Sequence, residues 1–453
     1  MTVTLTAPIS EIKRLLEYHY ADPEFLTLLK EKPQEAARQV GVSLDPNVVE
    51  RFWNPGADRE FTVAEIAYRE RQSYLVRFRE RIRQEGAPDD PRYRAWRVRQ
   101  VNRLKLELGG AKAESIIHSP MAIELSKGCS VGCWFCGIAA SKFAEHFPYS
   151  ESNAELWKAC LNVFKLRIGE AAKWGFCYWA TDPLDNPDYE KFCTDFSDIL
   201  GMFPQTTTAI GHKDPERTRE LLQLSESRGC EINRFSVLTL GLLRRLFKQF
   251  TAEELLNVEC IPQNKESRFM KAEAGKARDK RKKEADKAGE DFVENVNAGT
   301  IACVSGFLLN MVEKSVRLIT PCRATDSWPL GYMTYQEATF QDAAELDELI
   351  EGMFERHMPV GVQELTTVSL AWFLRLEQGE SGFALISEFT QVNCADTSRP
   401  DYMKRLGQLI AEGNSSADTI AFLLSYQFRV PPQRTIDYLE SMFRLGVFCE
   451  EPK

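Results

Sequence analysis

Apolar positions along the chain fall into two rhythms that alternate through its middle. Short apolar runs at residues 121–125, 175–180, 206–210, 235–240, 301–309 and 315–320 predict strands. Residues 154–165, 189–200, 215–227 and 252–260 instead read as helices by their spacing and caps. Strands separated by helices of that length predict an α/β region with a parallel sheet, open or closed into a barrel, over residues 111–340. The flanks read as helical. Within residues 1–57, Asp22-Pro23-Glu24 pairs an N-cap with proline at the first helical position, and Gly41 stops the pattern after Val40. Residues 58–110 carry eleven arginines between Arg69 and Arg103, with Leu75, Phe78 and Ile82 as a buried stripe. Residues 341–453 end in a helix at 417–428, a second helix opened by Pro431-Pro432 and stopped by Gly446, and a short strand at Val447-Phe448-Cys449. That order fits a winged-helix-like module.

One stretch breaks both rhythms. Residues 265–294 are rich in Lys, Arg, Glu and Asp and poor in aromatics, which predicts a solvated helix or loop inserted in the α/β region. A lid, or a contact for a charged peptide, is the other reading.

Composition narrows the function classes. With 43% hydrophobic and 11% aromatic residues in 453, the chain can bury a large core, which excludes disorder as its general state. No run of about 18 uncharged apolar residues predicts a membrane span, and the N-terminus lacks the basic-then-apolar layout of a signal peptide. The net charge of −9 disfavours nucleic acid as the main partner. Twelve cysteines without an export signal point to a reducing, cytoplasmic setting, where thiols serve metals or redox chemistry.

The most informative segment is Lys127-Gly128-Cys129-Ser130-Val131-Gly132-Cys133-Trp134-Phe135-Cys136, just past the first strand. At this cysteine frequency, a chance C-x3-C-x2-C is expected only about 0.01 times in the chain. Three thiolates on one tight loop suit a metal or cluster, with Gly128 and Gly132 letting the backbone bend around it. A structural zinc needs a fourth protein ligand, and His146 lies ten residues past the last cysteine. A [4Fe–4S] cluster held by three cysteines instead leaves one iron open.

This motif, with Phe135 before the third cysteine, resembles the signature of the radical S-adenosylmethionine (SAM) superfamily. The resemblance implies a partial (β/α)6 barrel, flanked here by the N-terminal helical region and the C-terminal helical, winged-helix-like region. It implies a [4Fe–4S] cluster on Cys129, Cys133 and Cys136, whose open iron chelates SAM. An electron delivered to it cleaves SAM to a 5′-deoxyadenosyl radical. Ala180-Thr181-Asp182-Pro183 stands where the superfamily often has Gly-Gly-Glu-Pro, so Asp182 is the expected partner of the SAM ammonium; an ordinary Asp-Pro turn is the alternative. Phe135 is a further expected SAM contact, and Thr208 and Ser236 are expected to reach the SAM ribose or carboxylate, with ordinary strand residues satisfied by backbone as the alternative for these two.

Over most of its length the chain resembles the radical SAM peptide epimerases of ribosomally made peptides, in particular those of proteusin (polytheonamide-type) pathways. The likeness rests on Glu124 to Cys136, on Trp179 to Tyr189, and on Ala302 to Phe307 with Pro321-Cys322 and Trp328 to Tyr332. Residues 22–41 are similar to the leader of proteusin precursors, as if a leader-like segment were built into the enzyme. The resemblance implies Cα hydrogen abstraction from an L-residue and return of hydrogen to the opposite face from a cysteine thiol. Cys322, after the strand at 315–320 and Pro321, is the expected donor, with Cys303 as runner-up, Cys394 behind it, and Asp326 as an aid to Cys322. Partners are then a precursor peptide, leader plus core, and an electron donor such as flavodoxin or ferredoxin. The rival reading is a radical SAM enzyme that forms a cross-link or another C–H modification in a peptide.

Overall fold

Buried apolar side chains gather in three large clusters and two smaller ones among the described residues, and the order of elements explains the large three. The computed structural model describes residues 3–450 apart from 270–271, 296–298 and 366. The chain begins with helices α1 (Val3–Ala21), α2 (Phe25–Glu31), α3 (Pro33–Val40), α4 (Val63–Glu85), α5 (Pro91–Leu108) and the single turn α6 (Gly110–Ala113). Local chemistry fixes their ends. Gly41 closes α3 in the left-handed region at φ +71, Thr62 and Glu65 form a reciprocal capping box on α4, and Asp90 caps α5 ahead of Pro91.

The middle of the chain carries β1 (Ser119–Glu124), the two-residue pair β2 (Ser126–Lys127) and β3 (Glu145–His146), α7 (Glu151–Ile168), α8 (Tyr189–Leu200), β4 (Thr207–Thr208) and α9 (Pro215–Ser227). It continues through β5 (Asn233–Val237), α10 (Leu240–Gln249), β6 (Val258–Pro262), α11 (Gly275–Ala288), β7 (Val304–Asn310), β8 (Ser315–Pro321), β9 (Tyr332–Thr339) and α12 (Ala343–His357). The last part holds β10 (Thr367–Val368), β11 (Arg375–Gln378), β12 (Gly382–Ile386), β13 (Gln391–Ala395), α13 (Pro400–Glu412), β14 (Ser415–Ser416), α14 (Ala417–Phe428) and α15 (Pro432–Arg444).

The fold is mixed α/β. One sheet has the order β1-β7-β8-β9, parallel between β1 and β7 and antiparallel beyond; a second, β4-β5-β6, is parallel throughout. A single parallel bridge from Ala122 to Phe176 is all the ladder that the predicted strand at 175–180 makes. The predicted strand at 206–210 shrinks to Thr207–Thr208. The predicted helix at 252–260 is instead a set of turns leading into β6, because Val258 and Cys260 face α1 while Glu259 and Ile261 face inward, a period of two rather than 3.6. Strand β9 and the antiparallel sheet β11-β12-β13, in a region read as helical, are further additions. Val447-Phe448-Cys449 makes only one bridge, Leu370 to Phe448.

Core packing follows the layers. Helices α7, α8 and α12 cover the β1-β7-β8 sheet through Trp157, Phe164, Phe192 and Phe354. Helices α1 to α3 cover the other sheet, Ile12, Leu15 and Tyr18 packing with Phe235, Val237 and Val258. Helices α13 to α15 make a third core with β12. Among the described residues, no helix is long and apolar enough to cross a membrane.

Candidate active site

Directly after β1 the chain turns through the three-cysteine loop, and backbone geometry dictates how. Gly128 adopts φ +78 and Gly132 φ +66. The loop is held by its own return strand: Cys129 N–H donates to the Ser141 carbonyl (3.0 Å), Phe143 N–H to the Cys129 carbonyl (3.2 Å), and Ala140 N–H to the Cys136 sulfur (3.3 Å). Helix α11, at the centre of the charged insertion, locks it from outside. Lys276 N–H donates to the Cys136 carbonyl (2.9 Å), and its Nζ donates to the Ala140 carbonyl (2.6 Å). The insertion is thus part of the site's frame, packed on the loop rather than merely solvated.

All three thiols face one cavity of about 550 Å³, inside the usual range for small-ligand sites. Burial pushes the Cys129 and Cys133 thiols up to about 11, with neighbouring carboxylates and thiols adding to the effect. Among the described residues no group of three or more His, Cys, Asp and Glu side chains is gathered closely enough to hold a metal ion, the three cysteines included, and His146 pairs with Ser126 without lining the cavity. The loop turns three sulfurs toward a cavity that also carries the carboxylates of Asp182 and Glu259. Three thiols on one loop are the donor types that a cluster ligated by three cysteines requires.

The same cavity gathers Phe135, Asp182, Ser236 and Cys303. Asp182 is 4% exposed. Its Oδ1 accepts from Thr208 Oγ1 (2.7 Å) and Leu184 N–H (3.1 Å), and its Oδ2 from Ala209 N–H (2.7 Å). Burial wins over these bonds and lifts the carboxyl to about 6. It is ionised at neutral pH, with acceptor capacity left for one more cationic donor. Thr208, expected as a SAM contact, lies outside the cavity lining; its hydroxyl orients Asp182.

Cys303 lines the cavity wall, and burial pushes its thiol up to about 11, so it stays protonated at neutral pH. Cys322 does not line the cavity. It is 1% exposed, beside Pro321, whose carbonyl accepts from Arg103, itself paired with Glu107. The expectation placed Cys322 at the site because it follows a strand. Strand β8, however, runs antiparallel to β7, so its C-terminal end lies level with the start of β1, away from the cysteine loop. Cys394 belongs to β13, remote in the fold. Asp326 bonds Arg278 (2.9 Å) and Lys282 (2.9 Å) on α11 rather than assisting Cys322.

Several lining residues had no sequence motif. Arg234 Nε donates to Glu259 Oε2 (2.9 Å) and Arg79 to Glu259 Oε1 (3.2 Å), while Tyr178 donates to Gln205 Oε1 (2.7 Å) and accepts from Thr207 (2.8 Å). Alternation along β5 (Arg234, Ser236) and β6 (Glu259, Ile261) is the signal that locates them.

Comparisons with known proteins add one relative at family level. No protein-family model matches the chain. The uncharacterized protein y4wI of Sinorhizobium fredii is 34% identical over 458 residues, spanning 98% of this chain and 88% of that protein. The crystal structure of BtrN in complex with AdoMet and 2-DOIA superposes with a TM-score of 0.32 and 12% identity over 53% of this chain and 82% of the other. That likeness is too distant to bear on function.

Proposed function

We propose, for a chain that belongs to the same family as the uncharacterized protein y4wI of Sinorhizobium fredii, a radical SAM activity that epimerises residues of a ribosomal precursor peptide. The observation that carries the reading is the convergence of Cys129, Cys133 and Cys136 with the buried carboxylate of Asp182 on one cavity. Cys129, Cys133 and Cys136 would hold the [4Fe–4S] cluster, which together with SAM supplies a 5′-deoxyadenosyl radical. Asp182, oriented by Thr208, accepts the SAM ammonium; Phe135 and Ser236 wall the nucleotide. In this reading the sheets form the wall of a partial barrel, and the apolar lining, with Phe176, Trp179 and Ile261, keeps water from a carbon radical.

Of the three candidate thiols, Cys303 is the one on the cavity wall, and it is assigned the return of hydrogen: its S–H bond breaks as the new Cα–H bond forms, and the thiyl radical left behind is restored by one electron from the electron donor and one proton from solvent. A neutral S–H is what that step requires, and burial keeps it neutral. The peptide substrate and the electron donor, a flavodoxin or ferredoxin, are part of the same proposal.

The test is anaerobic reconstitution with iron, sulfide and SAM, incubation with a candidate precursor in D2O, hydrolysis and chiral amino-acid analysis. Epimerisation gives D-residues, each carrying one solvent deuteron at Cα. A mass change beyond isotope exchange would assign a cross-link or another C–H modification instead. Absence of any SAM cleavage would refute the reading as a whole.

A further inference from the structure

The outer face of the cysteine loop differs from its inner face. Cys133 and Phe135 line the cavity, but Trp134 between them does not. Trp134 is 42% exposed. Two lysines stand over that ring, Lys280 of α11 with its Nζ 4.4 Å from the centroid and Lys265 at 5.6 Å. Helix α11 carries seven basic against three acidic residues in fourteen, a net +4 on a chain whose total is −9. Lys280 and Lys283 point to solvent, and Lys142 on the loop's return strand is exposed as well. Arg278 is turned inward and pinned by Asp326 and Glu294, so the helix is anchored where it lies.

A basic surface with an exposed aromatic at its centre has been built on the back of the loop. A substrate losing a hydrogen atom must reach the cavity, whose lining does not include Trp134. An electron needs only a short path to the thiolates, and this face offers one through Cys133 and through the Lys276–Cys136 contact. Electron-transfer encounters are small and steered by charge rather than by large apolar areas. We infer that the Trp134–α11 face is the docking surface for an acidic, one-electron carrier protein that reduces the cluster. The carrier loses one electron and the cluster gains it, with no atom transferred. The inference rests on the cluster proposed above.

The test uses the full chain, reconstituted anaerobically, with a reduced acidic flavodoxin as probe. Binding is read by calorimetry at two salt concentrations, and cluster reduction by loss of visible absorbance. The double variant Lys280→Glu/Lys283→Glu should weaken flavodoxin binding at least tenfold and remove its salt dependence. Dithionite, a small reductant, should bleach wild type and variant equally. The variant Lys283→Glu/Lys287→Glu, on residues that do not touch the loop, should shift binding in the same direction while leaving the loop intact. Unchanged flavodoxin affinity and reduction rate in both variants would overturn the inference. So would loss of precursor-peptide binding with flavodoxin binding intact, which would give the surface to the substrate. Failure of the cluster to assemble in the wild type would sink the proposed function itself, a result separable from the others by iron analysis.

Discussion

A methyl group added at Gly128 would stand 2.2 Å from the Lys142 carbonyl oxygen, on a residue already at φ +78. Both the backbone conformation and the close return strand demand glycine there. Gly128→Ala is therefore expected to displace Cys129 and lower iron occupancy after reconstitution, measured as iron per chain. Cys129→Ala should lose the cluster and all activity. Asp182 supplies a pH dependence whose sign follows from its environment. Burial has raised its carboxyl to about 6, so it is charged above that value and neutral below it. SAM affinity of the reconstituted enzyme should fall as pH drops through about 6, because the ammonium loses its counter-charge. Thr208→Val removes a hydrogen bond that favours the charged form, so the midpoint should move upward; calorimetric titration across the pH range reads both. At the thiols, Cys303→Ala should cleave SAM yet give little D-product and no solvent deuterium at Cα, whereas Cys322→Ala should retain both. The opposite pattern would return the donor role to Cys322.

At the level of elements, the cysteine loop was legible because its spacing is a motif and its glycines are bends. The helices α7, α8, α9, α14 and α15 were legible from caps and apolar period. Strands with a charged inner face were not. Residues Glu259 and Arg234 sit inside the cavity, paired with each other, so the alternation of β6 looked like one more helical stretch. A sequence shows that a residue is charged, not that its partner waits across a cavity. The same limit hid the role of the charged insertion, since the backbone bonds from Lys276 to the cysteine loop leave no trace in composition. Strand direction was the other unreadable quantity. The antiparallel course of β8 decides that Cys322 stands away from the cavity, and only the ladder register reveals it.

Across the whole molecule, the N-terminal helical region, which contains the leader-like residues 22–41, is joined to the α/β body by buried contacts of α1. Lys13 Nζ donates to the Val258 carbonyl (2.7 Å), Arg14 to the Phe250 carbonyl (2.7 Å), and Glu17 accepts from Cys260 N–H (2.8 Å). Removing residues 1–57 would uncover Phe235, Val237, Phe247 and Val258 on the sheet that walls the cavity. Such an apolar surface promotes aggregation, so the truncated chain is expected to be insoluble or molten by gel filtration and near-UV circular dichroism. A soluble, cluster-binding truncation would instead make the segment a detachable module. The central claim is that three sulfurs on one loop hold an iron–sulfur cluster with an open corner. Its most direct test is the metal and sulfide content, with the visible spectrum, of the chain purified and reconstituted without oxygen. The account expects about four iron and four sulfide per chain with broad brown absorbance, lost in Cys133→Ala. Colourless protein holding zinc, or no metal, would contradict it.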